Sequence, residues 1–231
     1  MKKLISLCLA MTMLLGSMVG CGKTPTSSSG NPSNSEGGGL GTPQTFKFGL
    51  TVASTHPYSI AAQNFAELVE EKSGGNMTVD LYYDSSLGDD AALMESMQMN
   101  AVTFALVGPA GIAPMCPIYE FFDLPCLFAT RDAAYAFQES EPVLELMDSL
   151  SANGLRGLGF YENGYYAISN NAKEITTVDG LNNLKLRSMT SEMAIKSWEC
   201  LNVQPVAMAF GELFMAMQTG TVDGQETTIG S

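Results

Sequence analysis

The chain has 231 residues, enough for one or two domains with a sizeable core, and its 45% hydrophobic and 9% aromatic content is that of a globular protein. A formal charge of -13 offers no basic patch to displace the counterions of a nucleic acid, so nucleic acid is excluded as a partner. The same charge repels anions in general, so any anion site here has to be built locally.

Met1-Lys2-Lys3 is a basic start, and Leu4 to Gly20 is an apolar run rich in Leu and Met. Its length and flanks suit an export signal better than a spanning helix. The run ends Met18-Val-Gly-Cys21, small residues just before a cysteine. This resembles the lipobox of bacterial lipoproteins, with Met18 where Leu is usual, and predicts cleavage before Cys21 and lipid attachment to its thiol. The following GKTPTSSSGNPSNSEGGGLGTP is polar and nearly free of large apolar side chains. Such a segment cannot pack and reads as a flexible tether between membrane and domain. The expected organisation is therefore a signal over 1–20 and a lipid-attachment Cys with tether over 21–44.

Folding is expected to begin near Thr45. Phe46, Phe48, Leu50 and Val52 alternate with polar or small residues, which predicts a strand over Thr45–Val52. Ser59 is a candidate cap for a helix running to Lys72, with Ala61, Ala62, Phe65, Leu68 and Val69 on one side and Ser73-Gly-Gly as its stop. Met77–Tyr83 reads as a second strand and the SSLG from Ser85 as a turn. Asp89 and Asp90 suit the first turn of the next helix, where carboxylates offset exposed N–H groups, and Leu93, Met94 and Met97 carry it on. Thr103–Val107 is a short apolar strand. Strands and helices alternating with short links predict a parallel sheet covered on both faces. Ligands of such sheets bind beyond the carboxyl ends of the strands, here at the loops ASTHP, SSLG and VGPAG.

Pro114–Pro125 is aromatic but carries too many prolines for a regular helix, and its Tyr119, Phe121 and Phe122 read as packing groups rather than a cofactor site. Arg131–Gln138 and Pro142–Leu150 look helical. Leu155–Tyr161 and Gly164–Ser169 read as strands around Glu162-Asn-Gly, a tight turn or a bend between domains. In LKLRSMT, Leu184 and Leu186 alternate with Lys185 and Arg187, the period of a half-buried strand. A guanidinium on a rigid strand is placed either for a surface ion pair or to grip a carboxylate bidentately. The helix to Cys200 carries Met193, Ile195 and Trp198 on its apolar side. Val203–Ala207 is another strand, and Gly211–Thr219 a helix with Leu213, Phe214 and Met217 packing and Gly220 closing it.

Cys116 and Cys126 leave two readings open, a disulfide permitted outside the cytoplasm or buried free thiols. No ligand cluster for a metal is visible, and a lone His56 excludes ordinary His-based zinc sites. Without a G-x-S-x-G elbow, and with only carboxylate pairs such as Asp80 and Asp84 to suggest glycosidase chemistry, no catalytic apparatus and no cofactor is expected.

An ordered set of segments carries a family resemblance. These are FAELVEEKSGG from Phe65, LGD from Leu87, FFDLPCLF from Phe121, LKLR from Leu184, PVAM from Pro205, GELFMAMQTG from Gly211 and VDGQE from Val222. Behind a lipoprotein leader, the set resembles the extracytoplasmic solute-binding subunits of TRAP (tripartite ATP-independent periplasmic) transporters. A solute-binding lipoprotein of an ATP-driven importer would share the leader and fold but lack these segments.

The resemblance implies an α/β, type II periplasmic-binding-protein-like fold, with a first lobe over 45–163, a second over 164–231 and a ligand cleft between them. It also implies an organic acid as ligand and a membrane permease driven by an ion gradient as partner. Arg187 occupies the position whose Arg binds the ligand carboxylate in that family. Tyr166 stands where a second Arg is common, and Thr227 where Asn often contributes to the site. These exchanges suggest a ligand with one carboxylate and a less polar or more aromatic remainder. Glu67 is a weaker candidate, placed at the crevice only if its helix turns that way, whereas Glu212 and Glu226 read as structural. Asn183 replaces a usual Gly, which its backbone tolerates if left-handed. Family members continue further, so the second lobe is expected to be incomplete in this chain.

Overall fold

The computed structural model describes residues 42–228. Strand β1 (Gln44–Gly49) leads into helix α1 (Pro57–Lys72), β2 (Met77–Tyr82), α2 (Asp90–Gln98), β3 (Phe104–Ala105) and the single turn α3 (Pro109–Ile112). The three strands make a parallel sheet in the order β2-β1-β3, with Phe48 opposite Leu81 on one side and Phe104 on the other. Phe48, Leu50 and Ala62 are buried between this sheet and α1, joined by Phe65, Val79 and Leu81. Burying each large apolar side chain is worth about 1.5–3 kcal/mol. Helix α2 lies so close to β1 that a Cβ on Gly49 would meet Leu93 Cδ2 at 2.3 Å.

Two local expectations change here. β1 ends at Gly49 rather than Val52: the Leu50 N–H still bonds to Tyr82 O at 2.8 Å, but the chain bends at Thr51 and Val52 into the loop before α1. That helix is capped by His56, whose Nδ1 accepts the Tyr58 N–H at 3.1 Å, and not by Ser59. Pro57 supplies the first helical φ, while Ser59, already inside the helix and fully buried, donates its hydroxyl to Ala53 O at 2.8 Å.

The proline-rich stretch forms a 3-10 helix, Pro117–Asp123. Its Phe121 and Phe122 pack with Phe137 of α4 (Arg131–Gln138), and Phe122 also reaches Phe160. Helix α5 (Glu141–Ser149) follows, with Pro142 in its first turn. Leu155–Tyr161 is not a strand. Among the described residues it pairs with no strand, and Leu158 stays 67% exposed.

The second sheet has the order β4-β7-β5-β6, from β4 (Tyr166–Asn170), β5 (Lys185–Ser188), β6 (Gln204–Ala207) and β7 (Gly224–Thr228). β5 runs parallel to both of its neighbours, whereas β4 runs antiparallel to β7. Helix α6 (Glu192–Glu199) joins β5 to β6, and α7 (Leu213–Gln218) precedes β7. Leu181, Leu184, Leu186 and Val203 form the core of this lobe, with Trp198 against them. Leu213 of α7 is buried as expected, but Phe214 points outward and is 73% exposed. Asn183 has φ +62°, the left-handed backbone its exchange for Gly requires. Cys116, Cys126 and Cys200 are free thiols.

Candidate functional site

A cleft of about 1880 Å³ lies between the two sheets, and all three loops beyond the first sheet's strands border it through His56, Ser85 and Val107–Gly111. Arg187 enters it from β5, one of the two inner strands of the second sheet. Its backbone is set between Val206 of β6 and Gln225 of β7, and the residue is only 9% exposed. Nε and Nη2 both donate to the carbonyl oxygen of Met208, at 3.2 and 3.1 Å, and the guanidinium carbon stands 6.0 Å from the Phe210 ring centre. One edge of the fork is thus fixed by the protein, and the outer edge forms no ion pair among the described residues. Burial lowers its pKa, opposed chiefly by the charge of Glu226 and then by Tyr166 and Asp90. An added carboxylate would favour its charged form.

Tyr166 and Thr227 both line the cleft, on β4 and β7, where they sit at adjoining register positions. The Tyr166 hydroxyl accepts from Asn163 Nδ2 at 3.3 Å and lies 3.8 Å from Met189 Sδ. Desolvation of that hydroxyl raises its pKa. Glu67 is not part of the site. Ala62 and Phe65 fix the face of α1 that meets the sheet, and Glu67 is turned outward and exposed, away from the cleft lining. Glu226 does border the cleft, and its Oε2 accepts the Trp198 indole N–H at 2.8 Å, so it combines a packing role with a place beside Arg187. Asp80 and Asp84 are exposed and away from the cleft.

Two residues of the cleft lining went unforeseen. Asp90 opens α2 directly after the cap Asp89, which alone binds the Ala92 N–H. Asp90 turns instead toward the Gly108 N–H, 3.1 Å from its Oδ2. Two glycines let the loop wrap it: a Cβ on Gly108 would stand 3.3 Å from Oδ2, and one on Gly111 would stand 2.6 Å from Asp90 Cβ. Its Oδ1 is buried without a formed hydrogen bond among the described residues. Desolvation is the main reason its pKa rises to about 6, against the lowering effects of Gly108, Arg187 and, least, Thr51. The signal in the sequence was the doubled Asp, since one carboxylate suffices to cap a helix. Asn163 ties the lobes together. Its Oδ1 accepts from Tyr58 of α1 at 2.7 Å and from Thr228 of β7 at 3.4 Å. Among the described residues, no group of three metal-ligating side chains comes together, and no helix is long and apolar enough to cross a membrane.

Comparison with known proteins agrees with this architecture. Residues 48–231 match the family model for bacterial extracellular solute-binding protein, family 7 (DctP). The C4-dicarboxylate-binding periplasmic protein DctP of Rhodobacter capsulatus is 34% identical over 192 residues, which are 81% of this chain and 56% of that protein. The 2,3-diketo-L-gulonate-binding periplasmic protein YiaO of Escherichia coli K12 is 30% identical over 188 residues, 80% of this chain and 57% of that one. The crystal structure of the sugar acid binding protein DctPAm from Advenella mimigardefordensis in complex with galactonate superposes with a TM-score of 0.79 at 35% identity. It covers 80% of this chain and 60% of that one. The chain thus spans little more than half the length of these curated relatives. With a matching family model over most of its length and the two-lobed α/β fold of its relatives, the chain belongs to family 7 of the bacterial extracellular solute-binding proteins, the DctP-type solute-binding subunits of TRAP transporters.

Proposed function

We propose that the protein captures a small organic acid outside the cytoplasm and delivers it to the membrane subunits of a TRAP transporter, acting as a binder rather than a catalyst. The observation that carries this reading is Arg187, a buried guanidinium lining an interlobe cleft, with one edge held by Met208 and no carboxylate among the described residues in an ion pair with it. A buried charge of this kind is costly until paired, and a ligand carboxylate on its outer edge supplies the partner. The named ligands of the relatives, C4-dicarboxylates, diketogulonate and galactonate, are all carboxylates, which supports the same class here. Tyr166 and Thr227 would contact the remainder of the ligand through a ring, a phenol and a hydroxyl, which suits an acid held by a single carboxylate. We further propose that the lobes are 45–163 and 164–231, joined near Asn163, and that Cys21, which lies outside the described residues, anchors the protein through an attached lipid. Intact mass of the protein processed in a bacterial host should show a lipid-modified chain beginning at Cys21, and an unmodified chain beginning elsewhere would refute the anchor.

The ligand reading is tested by calorimetric titration with D-galactonate and succinate, and with the uncharged amide of whichever acid binds. Removing one partner of a buried charge pair costs about 2–5 kcal/mol. At about 1.4 kcal/mol per tenfold change, Arg187→Ala should weaken binding of the acid by roughly 30-fold to several thousand-fold. Arg187→Lys should recover only part, because an ammonium lacks the planar fork. Binding of the acid within about threefold of native by folded Arg187→Ala, or equal binding of acid and amide, would show that Arg187 is not the carboxylate clamp.

A further inference from the structure

Asn163 stands just before β4, and its side chain meets α1, β4 and β7 at once. Its Oδ1 accepts from the Tyr58 hydroxyl at 2.7 Å and from the Thr228 hydroxyl at 3.4 Å, while its Nδ2 donates to the Tyr166 hydroxyl at 3.3 Å. The lengths themselves orient the amide. O–H···O bonds centre near about 2.7–2.8 Å and N–H···O bonds near about 2.9–3.0 Å. Turning the amide over would leave an N–H···O contact of 2.7 Å to Tyr58 and an O–H···O contact of 3.3 Å from Tyr166, one too short and the other too long. Tyr58 also keeps its proton to give, because burial, then Tyr166 and Glu162, push its phenol well above the ordinary range. A phenol oxygen that accepts from Asn163 retains its own proton for another partner. In Tyr166 that proton faces Met189 Sδ at 3.8 Å, a weak acceptor just past the end of β5. Tyr166, Met189 and Arg187 all line the cleft, and Tyr166 and Arg187 each act on the ionisation of the other.

We infer that Asn163 is a positioning residue for ligand recognition: it holds the Tyr166 hydroxyl as a hydrogen-bond donor turned into the cleft beside Arg187, so that the ligand must present an acceptor oxygen there. This rests on the reading proposed above, in which an organic acid occupies the cleft against Arg187. The chemistry of the donors then fits one class of group. The outer edge of the guanidinium and the phenol O–H both seek lone pairs, and an ionised carboxylate has two oxygens that accept and no proton to give. A single carboxylate, or a carboxylate with a neighbouring carbonyl or hydroxyl oxygen, satisfies both donors together. Exchanging the Met189 thioether for such an oxygen replaces a weak acceptor with a strong one. Asn is the side chain this arrangement needs. A carboxylate at position 163 would accept from all three hydroxyls and consume the Tyr166 proton, whereas an amide accepts from two and donates to the third. Tyr58 and Thr228 share the same amide oxygen, so the group cannot turn over without disturbing both bonds.

Fluorine NMR of the ligand-free chain carrying 3-fluorotyrosine at position 166, a phenol that ionises nearer neutral pH than tyrosine, tests the orientation. A bond donated to a phenolate favours the ionised form, whereas a bond that the phenol itself donates favours the neutral one. Asn163→Leu keeps the shape of the side chain without its hydrogen bonds, and should raise the ionisation pH at position 166 by about one unit. A fall or no change would overturn the inference. Glu226, Asp123 and Arg187, the charged groups that act on Tyr166, are the same in both proteins, so the difference belongs to Asn163. Tyr58→Phe removes the shorter bond to the amide oxygen and should move the ionisation upward by less. It decides where circular dichroism shows Asn163→Leu unfolded, and a fall or no change there overturns the inference equally. Calorimetric titration with D-galactonate and succinate supplies the binding arm. Tyr166→Phe and Asn163→Leu should each weaken binding of the acid by about 2- to 10-fold, and Asn163→Leu should cost nothing further in the Tyr166→Phe background. An equal loss in that background would show that Asn163 braces the lobes and does not act through the phenol. Where neither acid binds, the fluorine titration decides alone. Acid binding untouched by Arg187→Ala, with the fluorine shift present, would strike the ligand reading; a missing shift, with the Arg187→Ala loss intact, would strike only this inference.

Discussion

Asp90 shows how a single carboxylate can oppose the fold that holds it. Its Oδ2 has the Gly108 N–H, but burial outweighs that bond and raises the pKa from 3.8 to about 6. The sign follows from the raised value. The folded state holds the proton more tightly than the unfolded chain, so stability falls as pH rises from about 4 through 6 and is level above that. At about 1.36 kcal/mol per pKa unit the ionised group costs about 3 kcal/mol at neutral pH. Asp90→Asn keeps an acceptor for Gly108 without the charge. It should raise the urea midpoint at pH 7 by an amount corresponding to about 2–3 kcal/mol, and the gain should vanish near pH 4. A variant no more stable than native at pH 7 would show that Asp90 is better solvated than its burial implies. The sequence disclosed the identity of the capping pair but not this division of labour, because only the folded loop of Val107–Gly111 tells Asp89 and Asp90 apart. Arg187 was legible for the opposite reason: a cation ending an alternating apolar strand in so acidic a chain stands out without a structure. Asn183 was legible too, since few residues other than Asn accept the left-handed backbone found there.

At the level of strands and helices, local periodicity located most elements, and neighbours decided the exceptions. Leu155–Tyr161 has the apolar residues of a strand, yet a strand exists only through its partner, and the described residues supply none. Phe214 sits in a helix whose apolar residues outnumber the places available on its buried side, so Leu213 is covered while Phe214 and Met215 remain outside. Nothing in the sequence distinguished parallel from antiparallel pairing for β4. The close passage of β4 and β7 rests on Gly224, where a Cβ would fall 2.2 Å from Ser169 O and 2.8 Å from Asn170 Cα. These are backbone atoms and cannot swing away. Gly224→Ala should therefore destabilise the second lobe by about 3 kcal/mol, the upper end of ordinary overpacking costs. Denaturant unfolding checks this, and a loss under about 1 kcal/mol would mean that the β4–β7 pairing is looser than its register implies.

Across the whole molecule, charge and shape act in opposite directions. A chain this acidic repels an anionic solute at long range, so on the function proposed above the attraction has to come from local groups such as Arg187 in the cleft. Asn163 bridges that region with α1 on one side and β4 and β7 on the other, linking the first lobe to the strand that carries Tyr166. The position of β5 has one more consequence. A long side chain ordinarily gives up rotamer freedom when it closes on a ligand, at a cost of about 0.5–1.5 kcal/mol. For Arg187 that loss has already occurred. Strands on both sides hold its backbone, and the Met208 carbonyl holds its guanidinium. On the function proposed above, an arriving acid would meet a receptor whose conformational search ended when the lobe folded.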